Sequence, residues 1–443
     1  MGADPPQHAV LTAPTRQTID TSRVRTLLRA WGPTAAAAGA CVVVLLVWQA
    51  AFFDDHHPVV DHFAYTEQAE QLLDGNLTVP DGEALSPTAL RLSAPTDHGR
   101  VFKYLPGTAA VGAASLWLTD DDGLARVLAL VLLVVATAGA ADAMGWSPGR
   151  RALAGLLVGA SPVVLSLDAV LLSYVPAVAL CTTALWLVLL ATVRPGSSRR
   201  TLVLLGGAGL VLGATFLMRQ IEVLAWLLVL CGWCAMRAGP PVGRRLAQVG
   251  VLLAGTLPGL IVVLLVDRAV TGAAFSLPFT VVSPDDGIGW GWRRVLPGDP
   301  LENFTLLDGV RTTPRATLDL LMWMLIGPAL AVGAAVALWL GRRDPVRWLL
   351  AVLGAVVPLA FLFHWANAHA VWAGFYMSTG AFYYLACVPP LVLLGVDGLS
   401  RLPRRVVVAG VVVVVAVQAA FLVSHLQDWK AVEDEPVAIV EGS

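Results

Sequence analysis

The sequence predicts an all-α membrane protein, a polytopic bundle of about eleven transmembrane helices with interfacial helices in its first external loop. Two observations predict it. Of 443 residues, 57% are hydrophobic and 14% charged, and the mean hydropathy is +0.73, more apolar surface than a water-soluble chain of this length can hide. The charges also gather in short clusters between apolar runs of roughly 20 residues, long enough to cross a ~30 Å hydrocarbon layer as helices.

Residues 1–30 read as a disordered cytoplasmic tail, polar at first, with Pro5, Pro6 and Pro14 and no apolar period. The transmembrane domain occupies 31–423. Its first run, 33–53, follows Arg23, Arg25 and Arg29, is too long for a signal-peptide core and has no small-residue cleavage site, so it reads as an uncleaved span. Further spans are 123–144, 152–167, 171–193, 202–217, 221–236, 247–266, 318–340, 346–363, 382–396 and 406–423, which leaves 424–443 as a tail.

Orientation follows from the basic residues, because short cytoplasmic loops carry the excess. With the amino terminus inside, Arg150, Arg151, Arg199, Arg200, Arg244, Arg245, Arg342, Arg343, Arg404 and Arg405 all fall inside and the carboxyl terminus falls outside. The run 105–118 is too short to cross, and a crossing there would put these arginines outside; it reads as an interfacial helix on the external surface. Two long external loops result, 54–122 and 267–317, in a chain whose other loops are short. Long loops in compact domains are usually functional.

A net charge of -2 gives no basic surface for nucleic acid. The cysteines Cys41, Cys181, Cys231, Cys234 and Cys387 all lie in apolar runs, where they act as small hydrophobes. Cys231 and Cys234 have redox spacing, but they sit in a span without the flanking strand a redox site needs.

Candidate chemistry starts just beyond the first span. Asp54, Asp55, His56 and His57 read as a wet loop, although a His and Asp cluster could also hold a divalent cation, the one cofactor the sequence leaves open. The segment Asp61-His62-Phe63-Ala64-Tyr65 runs on through Gly75 to Leu77, and Phe102-Lys103-Tyr104-Leu105-Pro106-Gly107 follows later. Together they resemble the first external loop of GT-C glycosyltransferases, in the branch of the aminoarabinose transferases and protein O-mannosyltransferases. Three later segments, Phe216 to Gln220, Thr271 to Phe279 and Asp286 to Gly291, resemble parts of bacterial members, so the resemblance runs in order over most of the chain.

That resemblance implies transfer of one sugar from a polyprenyl-phosphate donor to a glycan, lipid or protein acceptor, outside a bacterial plasma membrane. It makes Asp61 the general base, taking the acceptor's proton as its oxygen attacks the anomeric carbon, with inversion expected by analogy with inverting glycosidases. The alternative for Asp61 is the N-cap of a helix expected over 63–73. Lys103 and Arg219 are the cations for the carrier phosphate. Arg219, set among apolar residues at the end of a span, needs an anionic partner, and pairing with Glu222 or snorkelling to a lipid headgroup would also serve. Lys103 alternatively anchors at the interface beside Tyr104.

Further substrate-binding candidates are His62, Tyr65, Asp168, Tyr174, Trp290, Trp292, His364 and His369. The tryptophans could stack on sugar faces or sit in an interfacial aromatic belt, and the two late histidines could touch phosphate or acceptor or simply end a helix. Two departures from the family pattern stand out. Many members have an acidic residue before proline in the second external loop, where this chain has Tyr174-Val175-Pro176, and Asp168 is the nearest substitute. Where relatives often have Gly-Pro-Arg before an aromatic pair, this chain has Gly380-Ala381-Phe382-Tyr383-Tyr384 and lacks the cation, which keeps a noncatalytic scaffold open. A transporter or lipid flippase is the other alternative, but it would place its polar site near the midplane, whereas here Asp, His, Lys and Trp concentrate in external loops.

Overall fold

The computed structural model describes residues 21–53, 60–80, 82–194, 196–296 and 298–433. Asp54 to His57 and most of the expected amino-terminal tail lie outside them. The chain opens on α1 (Thr21–Phe52), and the first long loop then holds α2 (Val60–Leu73), α3 (Pro87–Arg91), a hairpin of β1 (Ser93–Thr96) and β2 (Gly99–Phe102), and α4 (Gly107–Thr119). Next come α5 (Gly123–Ala143), α6 (Pro148–Gly159), α7 (Pro162–Asp168), α8 (Tyr174–Thr192), α9 (Ser198–Phe216), α10 (Gln220–Met236) and α11 (Val242–Thr271). The second long loop carries α12 (Pro278–Val282) and a small antiparallel pair, β3 (Gly291–Arg293) with β4 (Glu302–Phe304). The chain finishes with α13 (Leu306–Trp323), α14 (Gly327–Leu340), α15 (Pro345–Phe361), α16 (Trp365–Trp372), α17 (Phe375–Thr379), a 3-10 helix (Phe382–Cys387), α18 (Val388–Leu399) and α19 (Arg404–Glu433).

The protein is a multi-pass membrane protein of helices. Among the described residues seven helices are long and apolar enough to cross a bilayer, and nine if each of two bent pairs counts as one span. The expected spans over 221–236 and 346–363 coincide with α10 and α15, apolar helices of only 17 residues each, so the expected eleven crossings exceed the seven to nine counted by length and composition. The expected straight span over 318–340 is instead broken: α13 and α14 meet at 110°. Pro328 in the first turn of α14 and left-handed Ile326 (φ 52°) end one helix and start the next. α6 and α7 break likewise, by 58°.

A broken helix in an apolar setting leaves backbone groups that no water can satisfy. Gln418 of α19 meets four of them at the α13–α14 break. Its Nε2 donates to the carbonyls of Leu321, Met322 and Met324 at 3.1, 3.0 and 2.6 Å, and its Oε1 accepts the Ile326 N–H at 3.0 Å. Ser161 Oγ accepts the Leu325 N–H at 3.1 Å. α19 is otherwise peripheral, with 6% of its apolar window buried against 67% for α8.

Small residues let helices approach where no hydrophobic force draws them together. Gly209 and Gly213 of α9 face Gly255 and Gly259 of α11, and a side chain at Gly259 would strike the Gly213 carbonyl. Arginines gather at the helix ends away from the long loops. Asp397 accepts Arg150 at 2.7 Å, Arg347 at 2.8 Å and Arg401 at 3.3 Å, and Asp142 pairs with Arg151 and Arg194. At the opposite end the two long loops pack together, with Val101, Val270 and Val282 in one apolar cluster and Thr96 Oγ1 donating to the Val270 carbonyl at 3.2 Å.

Candidate active site

The site forms where several separate stretches meet. α2 supplies Asp61 from its first turn; the carboxylate accepts a hydrogen bond from the Tyr104 hydroxyl. Asp61, expected as an N-cap, is thus the second residue of α2, and its side chain is engaged across the fold instead. Tyr104 stacks on Tyr65, with ring centroids 4.8 Å apart, and Tyr65 hydrogen-bonds Ser173. His62 Nδ1 accepts the Leu171 N–H at 3.1 Å, so it ties α2 to the segment before α8.

The hairpin of β1 and β2 delivers Lys103, and Gly107 brings the next stretch into place. The Gly107 N–H donates to the Leu217 carbonyl at 3.0 Å, and a Cβ there would lie 2.6 Å from the same oxygen, so only glycine allows the approach. Two residues past Leu217 stands Arg219, extended (φ -148°, ψ 107°) between α9 and α10. It ion-pairs with Glu222, lies 4.0 Å from the Tyr174 ring centroid and 5.6 Å from that of Tyr383, and reaches Ser173 Oγ at 3.5 Å. Both the expected Glu222 partner and an aromatic cradle are therefore present. A cavity of about 10 Å³, room for roughly one water, lies between Tyr174, Arg219, Glu222 and Phe382.

Lys103 is buried, away from an interfacial anchor's position: Nζ bonds Asp286 Oδ2 at 3.0 Å and the Val295 carbonyl at 3.1 Å, over the Phe279 ring. Its charge and that of Arg219 both act on Asp61. Burial raises the Asp61 carboxyl above its ordinary range, and the Tyr104 hydrogen bond, Lys103 and Arg219 pull it back. Burial likewise raises Asp286, against the pull of Lys103. His364 is buried beside Tyr383, with ring centroids 5.6 Å apart, and burial followed by the charges of Arg219, Lys103 and Arg293 lowers it to about 3. Its imidazole is neutral at any working pH.

The other candidates sit apart. Asp168 is buried and senses Arg126 as its charged neighbour, while Arg126 itself bonds the Ala169 carbonyl at 2.5 Å and Asp122 at 2.8 Å. Trp290 is half exposed against Phe363, and Trp292 is 66% exposed on β3. His369 packs between Trp365 and Phe375. Among the described residues no three His, Cys, Asp or Glu side chains converge as a metal set, and the five cysteines are free.

Sequence reasoning did not single out Tyr104, Ser173, Asp286 or Tyr383. Tyr104 and Asp286 stand inside motifs that were legible, beside Lys103 and at the head of Asp286-Gly287-Ile288-Gly289, but nothing local marks either as facing Asp61.

Superposed on solved structures, the chain matches ArnT from Cupriavidus metallidurans bound to undecaprenyl phosphate, with a TM-score of 0.58 at 16% identity over 88% of this chain. The apo form of the same protein matches with a TM-score of 0.53. The chain shares the GT-C fold of that ArnT. It spans 64% of the ArnT's length. The archaeal oligosaccharyltransferase AglB from Archaeoglobus fulgidus, in complex with an inhibitory peptide and a dolichol-phosphate, superposes with a TM-score of 0.48 at 11% identity, over 89% of this chain and 55% of its own. No protein-family model and no curated protein sequence matches the chain.

Proposed function

We propose that the protein transfers a single sugar from a polyprenyl-phosphate donor to a hydroxyl of a glycan, lipid or protein acceptor, on the external face of a bacterial plasma membrane. The observation that carries this reading is the convergence of the Asp61 carboxylate with Lys103 and Arg219 at the loop end of a GT-C fold. A likeness to ArnT bound to undecaprenyl phosphate supports a lipid-phosphate donor.

In the step proposed, the acceptor oxygen attacks the anomeric carbon and its proton passes to Asp61. A new C–O bond forms as the bond from the anomeric carbon to the phosphate oxygen breaks, and the bonding pair leaves with the phosphate. Attack opposite the leaving group inverts the anomeric centre. Arg219 and Lys103 balance the charge that grows on the departing phosphate, where a low-dielectric site makes each cation count for more than in water. Both must partly release their present partners, Glu222 and Asp286, to do so.

Reconstitution tests the reading. Purified protein in liposomes, supplied with undecaprenyl phosphate carrying arabinose or mannose and with cell-envelope glycan or lipid acceptors, should release free undecaprenyl phosphate in step with acceptor glycosylation. Movement of the intact lipid-linked sugar across the bilayer without release would make the protein a flippase, and neither event would leave a scaffold.

A further inference from the structure

Two buried polar atoms near the proposed base have no partner among the described residues. Asp286 gives its Oδ2 to Lys103 at 3.0 Å, but its Oδ1 accepts nothing. His364 is buried as well, and its Nδ1 is unpartnered. The two residues belong to one clamped strip of structure. Ile288 and His364 pair as an antiparallel bridge, and the Gly289 N–H donates to the Phe363 carbonyl at 2.7 Å. The same strip faces Tyr383, whose ring is 5.6 Å from that of His364 and which feels the charges of Asp286, Asp61 and Arg219.

Buried polar atoms in native proteins almost always have hydrogen-bond partners, so a pair of orphans beside two cations points to a ligand. Chemistry narrows which ligand. An ionised carboxylate oxygen only accepts, so Asp286 Oδ1 requires an O–H or N–H donor. A neutral imidazole offers one donor and one acceptor. A phosphodiester brings only acceptor oxygens and a negative charge, which Asp286 repels. Hydroxyls both donate and accept, and adjacent hydroxyls on a sugar ring present the pattern that these two side chains lack.

We infer that Asp286 and His364 form the subsite for the hydroxyls of the transferred sugar, while Lys103 and Arg219 serve the carrier phosphate. This rests on the donor reading above and divides that site into a sugar half and a phosphate half. Asp286 then has a double task, since one oxygen holds Lys103 and the other holds the sugar.

The test compares binding of bare undecaprenyl phosphate with undecaprenyl phosphate carrying arabinose, mannose or glucose, for the parental protein, Asp286→Asn and His364→Phe. The parental protein should prefer at least one sugar-bearing carrier. Asp286→Asn should reduce that preference about tenfold, as expected for losing a hydrogen bond to a charged group, and His364→Phe by about threefold. The ratio of the two affinities cancels any general effect of freeing Lys103. His364→Phe keeps an aromatic ring and carries the test if Asp286→Asn does not fold. A parental preference that survives in a folded variant overturns the subsite and leaves the donor reading standing, as does equal parental binding of bare and sugar-bearing carriers. No binding of any carrier by the parental protein overturns the donor reading and the subsite with it.

Discussion

The Tyr104 hydroxyl donates a hydrogen bond to the Asp61 carboxylate, joining residues 43 positions apart in the first long loop. The bond stabilises the ionised form and opposes the burial that raises the carboxyl from its ordinary 3.8. A base works ionised, so the rate should rise with pH through this raised value, and the acid limb of kcat/KM should lie above the ordinary carboxylate range. Tyr104→Phe removes a hydrogen bond that favours ionisation and should move the limb to higher pH. An unmoved limb in that variant would detach Tyr104 from the base.

Asp61→Asn tests the base itself. The amide keeps size and can still accept Tyr104's hydrogen bond, but it cannot take a proton. Turnover should fall roughly 10²- to 10⁴-fold with donor affinity little changed. Asp54→Asn and Asp55→Asn are the controls and should retain most activity. Parental turnover in Asp61→Asn would remove Asp61 from the mechanism.

Arg219 lies over the Tyr174 ring, 4.0 Å from its centroid, and pairs with Glu222, so charge and shape both matter. Arg219→Ala should weaken undecaprenyl phosphate binding most. Arg219→Lys should fall between, because the ammonium keeps the charge and loses the planar, stacking fork. Isothermal titration in nanodiscs would measure all three, and equal affinities would leave Arg219 a structural residue.

Gln418→Leu is isolated from this chemistry and should act on stability. It strips partners from three carbonyls and one N–H at the α13–α14 break. Leaving even some of these unsatisfied should cost at least about 2 kcal/mol, visible as a lower unfolding temperature in detergent. An unchanged melting curve would mean that water or lipid headgroups replace the glutamine.

Topology is open to labelling. In a background lacking the five native cysteines, a single cysteine at exposed Asp74 should react with an impermeant thiol reagent in intact cells, and one at Arg200 or Arg343 should not. The reverse pattern would invert the orientation and move the site to the cytoplasmic face.

The sequence by itself determined the class of the molecule, because apolar runs bounded by charge state directly which solvent each stretch prefers. It placed helices over every expected span and, through the resemblance, brought Asp61, Lys103 and Arg219 forward as a set. It could not show that the span over 318–340 breaks by 110°, since Gly327-Pro328 permits a continued or a bent course and the backbone groups that a break exposes find their partner in Gln418, more than ninety residues on. The partner of Lys103 was equally hidden. Asp286 lies 183 positions away, in a loop whose own composition gives no reason to face it. Tertiary packing made that choice, by pressing Gly107 against Leu217 and by pairing Ile288 with His364, and so closed two loops over one carboxylate.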